Sequence, residues 1–130
     1  MTQNEKDILS KDLCARLPYG VKVHFSGWDS EYLQQKEMVD TLYSIDSDGY
    51  CNTYEYDSLL ELGDIKPYLF PFSSMTMEQE REWQSLMVCD IYGIFYHTIE
   101  SFDYLYKNHI DIRGLIPMGL ANDATGLNIY

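Results

Sequence analysis

The sequence predicts an α+β fold: an N-terminal helix, a small antiparallel sheet or partly open SH3-like barrel, and then C-terminal helices. Three observations carry this reading. Leu9, Leu13 and Leu17 recur every four residues, which is one face of a helix. Val21, Val23 and Phe25 then alternate with Lys22, His24 and Ser26, the period of a half-buried strand. Farther on, Thr76 and Gln79 stand three apart, the spacing of a capping box at a helix start. A helix, then strands, then helices favours a small sheet covered by helices. A chain of 130 residues is expected to form one domain over 1–130, β-rich over 18–72 and helical over 76–121.

Taken in order, the first helix covers 5–17 and stops at Leu17-Pro18, because a residue before proline is pushed out of the helical region. The first strand runs from Val21 to Ser26 and closes at Gly27-Trp28-Asp29-Ser30. Residues 29–37 are polar and predict no element. Met38 to Ile45 alternates again, with Val39, Thr41, Tyr43 and Ile45 on one side. Asp46-Ser47-Asp48-Gly49 is a turn, since glycine tolerates positive φ and aspartate bonds back to nearby amides. Tyr50 to Tyr56 completes a hairpin. Leu59 to Ile65 is a further short strand, and 66–75, with Pro67 and Pro71, is an extended linker. A helix starts at Thr76 and continues through Trp83 and Leu86 to Ile91. Ile94-Phe95-Tyr96 is ambiguous between strand and helix. Thr98 or Ser101 caps another helix, and Asp111 to Leu120 forms a last short one that Pro117 disturbs. The expected core is Leu9, Leu13, Leu17, Val21, Val23, Phe25, Ile65, Leu69, Trp83, Leu86, Phe102, Leu105, Leu115 and Ile116.

Composition limits the function. Nine Lys and Arg stand against 21 Asp and Glu, a net charge of −12. Direct nucleic-acid binding is therefore not expected, because that affinity comes from cations neutralising phosphates. No apolar run approaches the ~18 residues of a membrane span, and the polar, acidic start has no signal-peptide pattern. Cys14, Cys51 and Cys89 are odd in number and lack a CxxC, which suits reduced thiols in the cytosol. No cofactor is expected, because no GxGxxG, P-loop or GxSxG occurs.

The acidic stretch carries the leading functional reading. Eight acids lie between Lys36 and Lys66 with no basic residue among them, and Tyr43, Tyr50, Tyr54 and Tyr56 are interleaved. Crowded like charges cost stability, and tyrosine is enriched where proteins touch. A contact face made of Tyr43, Asp46, Asp48, Tyr50, Tyr54, Glu55 and Asp57 is expected to dock an unidentified basic protein. Tyr50 and Tyr54 lead, on one side of a single strand. Imitation of a phosphate backbone, inhibiting a nucleic-acid-binding protein, is the alternative; a solvated face that maintains solubility is the bland one.

The same loop also fits part of a calcium template. Ser44, Asp46, Asp48, Tyr50 and Glu55 fall at ligand positions 1, 3, 5, 7 and 12 of an EF-hand, with Gly49 at 6. A β-turn is the competing reading, because the flanks alternate like strands and Ser44 offers no carboxylate. His24, His97 and His109 do not assemble into a metal motif. A triad of Cys51, His97 and Asp103 has no local support, so enzyme function is the weaker reading. His109, near a helix end, suits a cation there. Arg113, in a mostly apolar segment, is expected to pair with an acid and anchor the C-terminal helix.

Four blocks, taken together, carry a family resemblance: Leu17 to Val23, Asp40 to Gly49, Asp64 to Gln79, and Phe102 to Ala121, centred on Asp111-Ile112-Arg113-Gly114-Leu115-Ile116. In this order they resemble a group of short, uncharacterised proteins encoded by prophages and mobile elements of gut Bacteroidetes. The resemblance implies a cytosolic accessory protein with a β-rich first half, and it implies no activity. The chain departs from the group's pattern at Pro117-Met118, where more polar residues are usual, which argues against an unbroken final helix.

Overall fold

The computed structural model describes residues 1–29, 31–56 and 60–130. Helix α1 (Gln3–Arg16) starts earlier than its leucine period suggests, because Thr2 and Glu5 form a capping box. The Thr2 hydroxyl accepts from the Glu5 amide at 3.1 Å, and the Glu5 carboxylate accepts from the Thr2 amide at 3.0 Å. Two N-terminal amides that no helical carbonyl reaches are thereby satisfied. A 3₁₀ turn at Leu17–Tyr19 follows, and Gly20 leaves it at φ 71°, a left-handed conformation that glycine adopts without a Cβ clash.

Strand β1 (Lys22–Asp29) and strand β2 (Gln34–Ile45) pair antiparallel from Lys22 opposite Thr41 to Asp29 opposite Gln34. Val21, Val23 and Phe25 are buried as the alternation predicts. Two expectations fail here. Gly27 does not close the strand but lies inside it, where a Cβ would come within 2.6 Å of the Met38 sulfur and 2.8 Å of the Tyr56 ring. Residues 34–37 belong to β2 although all four are exposed; ladder hydrogen bonds hold them, so no hydrophobic period marks them.

In β2 the side chains of Val39 and Tyr43 point outward and Leu42 is fully buried. The pairing with strand β3 (Tyr50–Thr53) slips between Leu42 and Ser44. This bulge places one extra residue on β2, and Ile45 thereby packs against the core on the same side as Leu42. Strand β4 (Leu60–Glu61), a 3₁₀ turn over Leu62–Asp64 and strand β5 (Lys66–Leu69) follow. The supposed linker is therefore partly a strand, with Pro67 opposite Val23 near its start, where a missing N–H is tolerated.

Helix α2 (Met77–Ser85) carries the expected Thr76–Gln79 capping box but ends well before Ile91. Strands β6 (Val88–Cys89) and β7 (Phe95–Tyr96) form a separate two-stranded ribbon, and helix α3 (Ile99–Lys107) follows with Thr98 as its cap. Residues 111–120 form turns rather than a helix. The Asp111 carboxylate accepts from the amides of Leu115 and Ile116, at 2.8 and 2.9 Å, and Gly114 sits at φ 72°.

A last strand, β8 (Asn122–Asp123), runs parallel to β5. The sheet is thus open and mixed, ordered β4-β3-β2-β1-β5-β8. It does not close into a barrel, because β4 and β8 are its two edges, and the parallel β8 makes it mixed where an antiparallel sheet is expected. The fold is α+β. Leu9 and Leu13 of α1 join Val21, Val23, Phe25 and Leu42 in the main core, and Met75, Leu105 and Ile110 form a smaller one under α2 and α3. Phe102, expected inside, is 40% exposed, and Trp83 and Leu86 are only half-buried. The helical half has little interior to fill.

Candidate functional site

The residues expected to form one contact face fall in two places. At the tip of the β2–β3 hairpin, Asp46 Oδ1 accepts from the amides of Asp48 and Tyr50, both at 2.9 Å, and Gly49 takes φ 84°. Ser44 lies on β2, its hydroxyl accepting from Asn52 at 3.1 Å. Asp46 and Asp48 border a shallow recess beside Gln3, Lys6 and Ser10 of α1. Strands flank this loop on both sides, and Asp46 already holds two amides. The helix–loop–helix frame of a calcium site is absent, and among the described residues no three His, Cys, Asp or Glu side chains group to hold a metal.

Around the other end of the hairpin, Tyr43 and Tyr54 face each other with ring centroids 5.2 Å apart. They are 52% and 70% exposed. The paired tyrosines are therefore Tyr43 and Tyr54, not Tyr50 and Tyr54. Tyr54 has passed the end of β3, while Tyr50 stands half-buried at its start, beside the loop. Asp57 lies outside the described residues.

A cleft of about 380 Å³ opens next to this pair. Phe25, Met38 and Tyr56 give it an apolar wall, and Glu37, Asp40 and Glu55 supply carboxylates, with Lys36 also on the rim. Phe25 and Tyr56 are in ring contact at 5.2 Å. Asp40 holds the cleft's shape: its carboxylate accepts from the amides of Thr41, Glu55 and Tyr56 at 2.7, 2.8 and 3.2 Å. Partial burial pushes its pKa upward, but these hydrogen bonds outweigh that and hold it below the ordinary aspartate value. Glu37 is bound to His24 at 2.6 Å and to Ser26 at 2.8 Å. Asp64 accepts from the Glu61 amide at 3.1 Å. Glu61 accepts from the Asp64 amide in return, so five of the eight acids have internal partners, and among the described residues Asp48 and Glu55 are left to face outward. A phosphate-like array needs more outward carboxylates than that.

No family model, curated protein or solved structure matches the chain.

Sequence reasoning named Arg113 and His109 but not the two polar centres to which they belong. Asp12 and Arg16, both fully buried, pair at 2.7 Å; Arg113 reaches Asp12 at 2.8 Å, and Arg16 donates to the Ile110 carbonyl at 2.6 Å. Arg113 thus has the acid expected of it, but it anchors a turn and not a helix. The i, i+4 spacing of Asp12 and Arg16 was a visible signal, although exposed pairs share it.

The second centre is His109, at φ 59° and stacked on Tyr130 with centroids 3.6 Å apart. Burial, with Arg16 and Lys22 nearby, pushes its pKa down to about 4. It is neutral near pH 7, so the cation expected at this helix end is not there. A cavity of about 500 Å³ adjoins it, lined also by Ser74, Lys107 and Thr125, and no Asp or Glu is among its described lining residues.

The proposed triad members are dispersed. Cys51 is in the main core, its thiol pushed up to about 12 by burial and then by Asp46 and Asp64. His97 is exposed between Trp83 and Phe102, and Asp103 lies beside Tyr19, where desolvation and then its carboxylate raise the phenol's pKa.

Proposed function

We propose that this protein is a non-enzymatic, cytosolic accessory protein that docks a basic protein along β2 and the residues that follow β3. One observation carries the reading: the cleft of Phe25, Met38 and Tyr56, rimmed by Glu37, Asp40 and Glu55, beside the exposed Tyr43–Tyr54 pair. A lysine or arginine side chain has an apolar stem and a charged head, and this cleft offers a surface for each. Three carboxylates against the single Lys36 leave the rim negative. The tyrosine pair adds contact area at small entropic cost. Three free cysteines, two of them exposed, suit a reducing compartment. A place among the accessory proteins of a mobile element, implied by the resemblance of the four blocks, belongs to the same proposal.

The test uses a fluorescent peptide rich in lysine and arginine, with a glutamate-substituted peptide as control. The cationic peptide is expected to bind, with an association rate that falls as salt rises because charge steering is screened beyond ~8 Å. Asp48→Asn combined with Glu55→Gln slows association, and Tyr54→Ala speeds dissociation. Asp46 is left intact because it holds the hairpin loop. Equal rates for the wild type and the doubly neutralised variant at low salt overturn the proposal.

A further inference from the structure

The ribbon of β6 and β7 stands between α2 and α3 with most of its apolar side-chain surface exposed. Val88, Ile91, Tyr92, Ile94, Phe95 and Tyr96 are each more than half exposed, Ile91 at 92% and Tyr92 at 82%. Strand alternation places Val88 and Tyr96 on one face and Cys89 and Phe95 on the other, so both faces are apolar. The loop is nonetheless built with care. Asp90 accepts from the amides of Tyr92 and Ile94 at 2.8 and 3.0 Å and from the Tyr96 hydroxyl at 3.1 Å. An isolated two-stranded ribbon is marginal in water, and exposed apolar patches of this size mark contact sites.

We propose that this arm is a homodimerisation element, packing against the same arm of a second copy about a two-fold axis. Area is the first argument. The six side chains expose on the order of 700 Å² over both faces and the tip, of which one packed face covers about half, the size of a weak, reversible interface.

Charge is the second argument. The chain carries −12, yet residues 86–99 hold one carboxylate and no Lys or Arg, and that carboxylate, Asp90, is bound within its own loop. Two acidic copies therefore meet here without bringing their charges together. A basic partner finds nothing to recognise at this face, and an anionic membrane repels the rest of the molecule. The open edges of β6 and β7 supply a third element, since a two-fold axis sets identical strands antiparallel, ready to pair.

Sedimentation velocity of the full chain from about 1 to 100 μM tests the proposal. A reversible dimer of twice the 15.2 kDa chain mass is expected. Ile91→Glu and Phe95→Glu should each raise its dissociation constant about tenfold or more, with unchanged circular dichroism. Ile91 sits at the ribbon's tip, so its substitution leaves the two cores intact. Three results overturn the proposal: a monomer throughout this range, a dimer that both variants form as well as the wild type, or a monomer that sediments with neutral phosphatidylcholine vesicles. The last would assign the arm to a lipid surface.

Discussion

Arg113 and Asp12, 101 positions apart in sequence, meet at 2.8 Å and tie the C-terminal turns to the first helix. The contact is one limb of a network in which Asp12 also takes Arg16 Nε at 2.7 Å, and the Tyr106 ring lies 5.2 Å from the Arg16 guanidinium carbon. Arg16 Nη1 is buried without a partner, so the network holds its charge with nothing to spare.

Asp12→Asn should therefore destabilise the protein by ~3–5 kcal/mol, because it leaves the buried Arg16 without its counter-charge. Arg113→Ala should cost less, since Arg113 is a third exposed and the Asp12–Arg16 pair survives. Urea unfolding of the two variants gives the comparison, and a larger loss for Arg113→Ala would contradict this order.

His109 makes stability fall with acid. Its folded pKa of about 4 lies below the ~6.5 of an unfolded histidine, so the unfolded chain binds the proton first. The contribution is complete above pH 6.5 and declines as pH drops towards 4, by up to ~3 kcal/mol in all. His109→Phe should flatten the stability profile between pH 6.5 and 4, read from thermal melts across that window.

Gly27→Ala should cost ~1–3 kcal/mol by overpacking, because the new methyl meets Met38 and Tyr56. Those two side chains also wall the acidic cleft, so the same variant should weaken binding of the cationic peptide. Chemical denaturation and peptide titration check the two effects separately.

Asp90→Ala should leave the main core intact and loosen the β6–β7 loop. Amide exchange at Tyr92 and Ile94, followed by NMR, is expected to accelerate. The buried amides of β1 should keep their protection.

The Asp90 loop also shows how much was legible. Asp46-x-x-Gly49 and Asp90-x-x-Gly93 build the same turn: each aspartate accepts from the amides two and four residues ahead, and each glycine takes positive φ. Asp111-x-x-Gly114 and Asp123-x-x-Gly126 repeat the spacing with related amide bonds. Only the first reads as a hairpin turn from sequence, because apolar residues around the second predict a continuing helix. The Thr2–Glu5 capping box is equally legible in the sequence and starts α1 two residues before the leucine period does.

Local chemistry by itself determined the helix starts, the Asp-Gly turns and the inward face of β1. Each rests on residues a few positions apart, whose hydrogen bonds or alternation need no distant partner. Tertiary structure decided the rest. The bulge between Leu42 and Ser44 turned Ile45 inward beside Leu42, and Asn122–Asp123, from far along the chain, turned Lys66–Leu69 from a linker into an interior strand. It also separated Tyr50 from Tyr54 and set Tyr43 in its place. Pairing between remote segments gains only when the whole core closes over it, and no local pattern encodes that closure.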